Sequence, residues 1–196
     1  MILRLLRTGF AVLALVALAV NLENGISEAA GFKVANFFSY FTVQSNVLAA
    51  IALIGTALGA HSARWAAFRG LATFAMVVTG LVYNVLLADI PVGVTDPWIN
   101  DVIHRVMPVV MLADWMLDPP SKGIDRTTAL WWLAYPLAYA VYTLIRGPLA
   151  GDFYPYPFID PEQEGYGQVA VNCLGLTVVL AALALAVAWL SNVRRG

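Results

Sequence analysis

Charge is scarce in this chain. Only 12% of its 196 residues are Asp, Glu, Lys or Arg, while 61% are hydrophobic, against about 25% and about 45–50% in soluble domains. A water-soluble fold of this length cannot bury so much apolar surface, which excludes an ordinary soluble enzyme or binding module. Basic runs are missing and the formal net charge is −1, so neither a nucleic acid nor an anionic bilayer surface is implied as a partner by electrostatics. The single cysteine, Cys173, rules out an internal disulfide and reads as a small apolar packing residue within a helix. One histidine and one cysteine within the apolar stretches are too few for a zinc set, even with Asp101 nearby. A phosphate-cradling glycine loop, a dinucleotide fingerprint, internal repeats and low-complexity segments are all lacking. No metal and no cofactor are expected.

What is present is apolar length. Hydrophobic stretches run from Leu3 to Val20, Asn36 to Leu58, Trp65 to Leu87, Trp98 to Leu117, Ala129 to Ile145 and Gln168 to Leu190. About 20 residues of helix cross the roughly 30 Å hydrocarbon layer, and in lipid a helix satisfies its own backbone hydrogen bonds where an open strand cannot. The expectation is an all-α polytopic membrane bundle of six transmembrane helices, a single integral-membrane domain over residues 1–196. An even count puts both termini on one side. Arg4, Arg7, Arg64, Arg69, Lys122, Arg126, Arg194 and Arg195 fall on that side, against Lys33, Arg105 and Arg146 on the other, so both termini are assigned to the cytoplasm. Glu23, Glu28, Asp89, Asp96, Asp152, Asp160, Glu162 and Glu164 fall in the loops this assigns outside. The setting is then a multi-pass protein of a bacterial cytoplasmic membrane. Arg4 and Arg7 before a run holding Ala17-Leu18-Ala19 also fit a cleaved signal peptide, but the run exceeds a usual signal core and is read as a retained span. The longest loop, Gly147 to Gly167, carries Tyr154-Pro155-Tyr156-Pro157-Phe158 and reads as a structured cap at the outer interface.

Polar side chains inside a span are costly and mark functional candidates, so their depth is informative. At about 1.5 Å per residue, Thr42, Asn46, Asn84, His104, Tyr142 and Asn172 share a layer roughly 5–15 Å below the outer boundary. The inner half is nearly bare. Its ionisable exception, Asp114 beside Trp115, reads as a partner for an inner Arg or Lys, and a through-going channel would show polar residues along the whole depth. The pattern implies a pocket opening outward or sideways into the outer leaflet. Thr42 with Asn46, Asn100 with His104, and Gln168 with Asn172 are each four residues apart and share a helix face. Tyr135, Tyr139, Tyr142 and Arg146 form one stripe that ends at a cation. Structural alternatives stand beside these readings: Thr42 bonded to its own helix, Asn46, Asn84 and Asn172 as interhelical glue, tyrosines as interface anchors, Arg105 and Arg146 snorkelling to headgroups. His104 is harder to explain that way, because an isolated histidine in an apolar helix is unusual. His61 reads as a solvated loop residue, and Gly55 with Gly59 as a small-residue face for close helix approach.

The chemistry available to that layer is a hydroxyl with an imidazole. A threonine oxygen becomes a useful nucleophile when a neighbouring base removes its proton, and neutral histidine suits that task near neutral pH. Asn46, Asn84 or Arg105 would then donate to a developing oxyanion.

Four stretches carry a resemblance: Tyr40-Phe41-Thr42-Val43-Gln44-Ser45-Asn46, Trp98-Ile99-Asn100-Asp101-Val102-Ile103-His104 with Pro108 after it, Tyr135-Pro136, and the Tyr154 to Phe158 loop. In their order and spacing the chain resembles the androgen-induced gene family of integral membrane proteins, which includes the androgen-dependent regulator of tissue factor pathway inhibitor, and looks like a compact bacterial relative. Gln44-Ser45-Asn46 and a His104-to-Pro108 segment one residue tighter than in animal relatives are its departures. The resemblance implies a threonine hydrolase cleaving fatty acid esters of hydroxy fatty acids, with Thr42 as nucleophile and His104 as base. The expected substrate is then a lipid ester entering from the outer leaflet, bound among Asn46, Asn84, Asn100, Arg105, Tyr139, Tyr142, Arg146 and Asn172. Its free carboxylate would lie near Arg146 or Arg105, since arginine matches a planar carboxylate. Membrane lipids surround the bundle, and no obligatory protein partner is implied. The rival expectation is a non-catalytic binding or transport protein for a lipid or small amphiphile, and a further rival a purely structural bundle. Hydroxyl and imidazole within about 3.5 Å of each other would favour catalysis.

Overall fold

A computed structural model of the chain describes residues 1–28, 30–88, 90, 94 and 96–193; Asp89, Arg194 and Arg195 lie outside the described residues. Those described form helices and turns with no strand among them. The elements are α1 (Ile2–Glu28), α2 (Val34–Phe37), α3 (Phe41–Ala57), α4 (Ala63–Val82) running into a π-helical turn (Tyr83–Leu87), α5 (Pro97–Asp101), a second π-helical turn (Val102–Val106), α6 (Met107–Leu117), α7 (Arg126–Trp131), α8 (Ala134–Leu149), a 3₁₀ turn (Pro157–Ile159) and α9 (Pro161–Val193). Four segments, Ile2–Glu28, Ala63–Leu87, Arg126–Leu149 and Pro161–Val193, are long and apolar enough to cross a membrane, which marks the chain as an integral membrane protein. Helix α3 is apolar but shorter, at 17 residues.

Several expected stretches are interrupted. The one from Asn36 to Leu58 breaks at Phe38 to Tyr40, and Tyr40 adopts an extended conformation (φ −72°, ψ 130°) from which α3 starts afresh. Irregular backbone buried away from water persists only where protein groups satisfy it. Here Tyr139 of α8 donates to the Ser39 carbonyl at 3.0 Å. The Ser39 hydroxyl donates to the Ala35 carbonyl at 2.7 Å, so at 2.8 Å it receives the proton of Tyr142. The stretch from Ala129 to Ile145 breaks at Trp132 and Leu133, just before Pro136, which has no N–H for the carbonyl of Trp132. The last stretch begins at Pro161 rather than Gln168 and turns at Gly165, whose φ of +76° suits a residue without a side chain. Gly55 and Gly59 do not act as a pair. A Cβ on Gly55 would fall 2.2 Å from the Trp65 ring, whereas Gly59 lies beyond the end of α3 at φ +98° with open space around it, as a residue ending a helix does.

Helix α4 sits at the centre. Its Ala72 and Met76 belong to a core shared with α1, α3 and α6, while Phe74, Ala75 and Val78 belong to one shared with α7, α8 and α9. A helix apolar all round is what such a position requires. Along α1 and α3, the alanines 11, 14, 17, 49 and 52 are fully buried, and small residues let two helices approach closely where lipid offers no hydrophobic drive.

One end of the bundle is tied by charge. Asp114 lies between Arg7 at 2.6 Å and Arg69 at 2.7 Å, all three buried. Arg7 also reaches Asp118 at 2.5 Å, and Arg69 donates to the carbonyls of Asp114 and Asp118 at 2.8 and 2.7 Å. Trp115 beneath Arg69 donates to the Val187 carbonyl of α9 at 2.9 Å. The expected inner partner of Asp114 is thus a pair of arginines from α1 and α4. Removing the shared carboxylate leaves the buried Arg69 with carbonyls alone and Arg7 with Asp118 only, so Asp114→Ala is predicted to destabilise the protein by about 3–5 kcal/mol, measured as a lower midpoint of thermal unfolding in detergent micelles.

Candidate functional site

Thr42 is in the first turn of α3, and that placement decides what its hydroxyl can bond. Thr56, Thr73, Thr79 and Thr177, farther along their helices, each donate to the carbonyl four residues back at 2.7–3.0 Å, the usual behaviour of threonine in an apolar helix. The corresponding carbonyl for Thr42 is that of Phe38, in the break before α3, where it accepts from the Gln44 side chain at 3.0 Å. The Thr42 Oγ1 instead lies 3.2 Å from His104 Nε2, and both residues are buried.

His104 occupies the π-helical turn Val102–Val106. Such wide turns recur at functional sites, and this one has a local cause: Pro108 lacks the N–H that would bond the His104 carbonyl in an α-helix. A Cβ on Gly80 would fall 2.8 Å from Pro108 Cβ and 3.6 Å from the His104 carbonyl oxygen, so the bare glycine lets α4 close against this turn. The His104 Nδ1 lies 3.2 Å from the Asn100 carbonyl. A carbonyl only accepts, so Nδ1 carries the proton, and the neutral ring offers Nε2 as acceptor to the Thr42 hydroxyl. Tyr83 stacks on the imidazole, with ring centroids 4.1 Å apart and 18° between planes. Its hydroxyl bonds the Asn100 amide, and the Arg105 guanidinium lies over its ring at 5.4 Å. Neither Tyr83 nor the Asn100 carbonyl is marked by sequence pattern. They are found only through the packing of α4 on the π turn.

The remaining expected site residues separate. Asn46 joins the pair as a clamp, its amide donating to the Thr42 carbonyl at 2.9 Å and to the Ile103 carbonyl at 3.0 Å. Asn84 is exposed and donates to the Gly80 carbonyl of its own helix at 2.7 Å. Arg105 is exposed and paired with Asp101. Tyr139 and Tyr142 hold the break before α3, as described, and Tyr139 also lines a chamber next to Thr42. Arg146 donates to Asn36 at 2.7 Å and lies over the Phe153 ring, while Asn172 donates to the Phe158 carbonyl at 3.0 Å and so anchors the 3₁₀ turn.

The expected cap between α8 and α9 does more than cover the surface. Tyr154 packs into the notch at Gly147, where a Cβ would lie 2.2 Å from its ring. Tyr156 is thereby carried into the core, stacked on Phe158 at 5.5 Å and edge-on to Tyr40 at 5.9 Å. Its hydroxyl oxygen receives the Thr42 backbone N–H at 3.3 Å and lies 3.4 Å from Thr42 Oγ1. Burial pushes this phenol up to about 12. In the sequence Tyr156 stands out only as part of the Tyr154 to Phe158 motif, and no residue pattern shows that it meets Thr42.

Two chambers meet at these residues. The first, about 100 Å³, is lined by apolar side chains of α4, α8 and α9, among them Val78, Leu137, Cys173 and Leu180. The second, about 570 Å³, is lined by Asn21, Asn24, Glu28, Lys33, Asn36 and His104, among others. Thr42 and Tyr156 line both, whereas His104 lines the wide chamber and not the apolar one. Arg105 and Arg146 line neither. Among the described residues no group of three or more His, Cys, Asp or Glu side chains could hold a metal. Compared with known protein families, with curated proteins and with solved structures, the chain shows no match in any of the three.

Because Gly147 admits Tyr154, Gly147→Ala is predicted to push the 150–160 loop outward. Limited proteolysis should cut within this loop faster than in the wild type, with stability lowered by about 1–3 kcal/mol.

Proposed function

We propose that this chain is a lipid ester hydrolase that works through a Thr42 acyl-enzyme, with His104 acting first as base and then as acid. The observation that carries this reading is the 3.2 Å approach of the Thr42 hydroxyl to a His104 nitrogen whose partner nitrogen faces a carbonyl. That geometry is what proton removal from a weak nucleophile needs. The family resemblance of the Thr42 and His104 segments points to the same pair and to fatty acid esters of hydroxy fatty acids as the substrate class.

The topology proposed with it has six spans, α3 and the α5–α6 rod adding to the four long apolar segments, in a bacterial cytoplasmic membrane. Both termini are cytoplasmic, supported by Arg4, Arg64, Lys122 and Arg126 lying toward the Arg7–Asp114–Arg69 end. The catalytic pair then belongs to the outer half.

The two chambers suggest how an ester is oriented. The alcohol oxygen must take its proton from His104 on leaving, so the alcohol half occupies the wide chamber that His104 lines, and water for deacylation enters from the same side. The acyl chain then runs into the narrow apolar chamber. A free carboxylate on the alcohol half would meet Lys33, the cation lining the wide chamber. Arg146 and Arg105 are already engaged by Asn36 and Asp101.

Labelling by a fluorophosphonate and hydrolysis of a long-chain ester, measured in parallel, test the reading. Thr42→Ala is predicted to lose both and Thr42→Ser to keep both, while His104→Ala slows turnover by about 10²–10⁴-fold. Labelling and hydrolysis that persist in Thr42→Ala would refute the nucleophile and favour a protein that only binds amphiphiles.

A further inference from the structure

A tetrahedral intermediate on Thr42 needs a donor for its oxyanion, and the expected ones are committed elsewhere. Both protons of the Asn46 amide go to carbonyls, Asn84 bonds its own helix, and Arg105 is turned to Asp101. Resting on the hydrolase reading above, we propose that the Tyr156 hydroxyl is a catalytic residue: the hydrogen-bond donor that stabilises the oxyanion formed when Thr42 attacks an ester carbonyl.

Three protons around Thr42 have defined directions. The Thr42 hydroxyl proton faces His104 Nε2, because that nitrogen is the acceptor of a ring protonated at Nδ1. The Thr42 backbone N–H is given to the Tyr156 oxygen at 3.3 Å, which fixes the phenol oxygen as acceptor on its α3 side. With the Thr42 hydroxyl proton given to His104, the phenol is the donor in its 3.4 Å contact with Thr42 Oγ1, so its proton lies on the Oγ1 side. An oxyanion forms two bonds from Oγ1, on the oxygen of the attacked carbonyl, within reach of that proton. Tyr156 and Thr42 are also the residues shared by both chambers, so the phenol flanks the point where a carbonyl carbon must sit when its acyl and alcohol halves divide between them. The ring is fixed by Tyr40, Tyr139 and Phe158, and a donor held in place before the reaction needs no reorganisation. The first turn of α3 adds its positive dipole end on the same side.

The proton count closes without consuming the phenol. Thr42 Oγ1 bonds the carbonyl carbon as its proton passes to His104 Nε2, and the carbonyl electron pair moves to oxygen, where Tyr156 donates a hydrogen bond and keeps its proton. The carbonyl re-forms as the bond to the alcohol oxygen breaks, and that oxygen leaves with the proton from His104. Water then attacks the acyl carbon, giving its proton to His104. The second intermediate, held by the same donor, expels Oγ1, which takes the proton back, so ester and water become acid and alcohol.

The test compares an ester with its thiono counterpart, in which sulfur replaces the carbonyl oxygen and accepts a hydrogen bond poorly. With Tyr156→Phe, kcat on the oxygen ester should fall about 10²–10³-fold, with a smaller change in KM, and the oxygen-to-sulfur rate ratio should shrink toward that of the uncatalysed reaction. A merely structural loss would lower both rates and leave their ratio unchanged. Replacing Tyr156 with 3-fluorotyrosine, which keeps ring and hydroxyl while strengthening the donor, should preserve turnover and raise the ratio; it also serves if the phenylalanine variant does not fold. Thr42-dependent turnover with an unaltered ratio in these variants overturns the role of Tyr156 alone. Wild-type protein lacking Thr42-dependent turnover overturns the hydrolase reading as well.

Discussion

The hydrogen bond from Tyr139 to the Ser39 carbonyl supports the feature on which the site depends, a helix that begins inside the protein. An unbroken helix from Asn36 onward would give Thr42 the Phe38 carbonyl as its partner, and the hydroxyl would be spent on its own backbone as it is in Thr56, Thr73, Thr79 and Thr177. The break at Phe38 to Tyr40 removes that option. It also turns the first N–H groups of α3 toward the site, where that of Thr42 meets Tyr156. A backbone irregularity that would be costly in lipid is satisfied by hydroxyls from α8, and the freed threonine becomes available to an imidazole on another helix.

The second half of the site is made by a similar departure from regular helix. Pro108 withholds an N–H from the His104 carbonyl, and the chain relaxes into a π turn against the bare Cα of Gly80. Asn46 then ties the two irregular segments together through the carbonyls of Thr42 and Ile103. The Arg7–Asp114–Arg69 cluster, by contrast, lies within regular helix and has its charges compensated on the spot. One region of the bundle is locked by paired charge. The other is organised by hydroxyls, amides and aromatic rings around two chambers.

Much of this was readable from residue pattern. Long apolar stretches in a chain with so little charge require helices in lipid, and four such segments are present at full length. Depth counting from the helix ends put Thr42 and His104 at one level, because rise per residue is nearly constant whatever the packing. It also set Asn84 and Asn172 in the same layer, although Asn84 faces outward and Asn172 anchors a loop. Depth is a one-dimensional measure; the rotation of each helix about its axis depends on which neighbours it packs against. The Tyr135 to Arg146 stripe shows the same limit. Tyr139 and Tyr142 do share work at the break before α3, but Arg146 is drawn aside to Asn36 and Phe153.

The sequence by itself determined the solvent of this protein, the helical class and the short set of polar residues from which a site could be built, since these follow from composition and local spacing. Tertiary structure decided which of those residues meet. The interruption of α3, the π turn at His104 and the descent of Tyr156 into the core each arise from contacts between segments far apart in the chain: Ser39 with Tyr139, Gly80 with Pro108, Thr42 with Tyr156. Such contacts exist only once the helices have packed, and a hydrogen bond between distant residues leaves no periodic trace in the sequence that makes it.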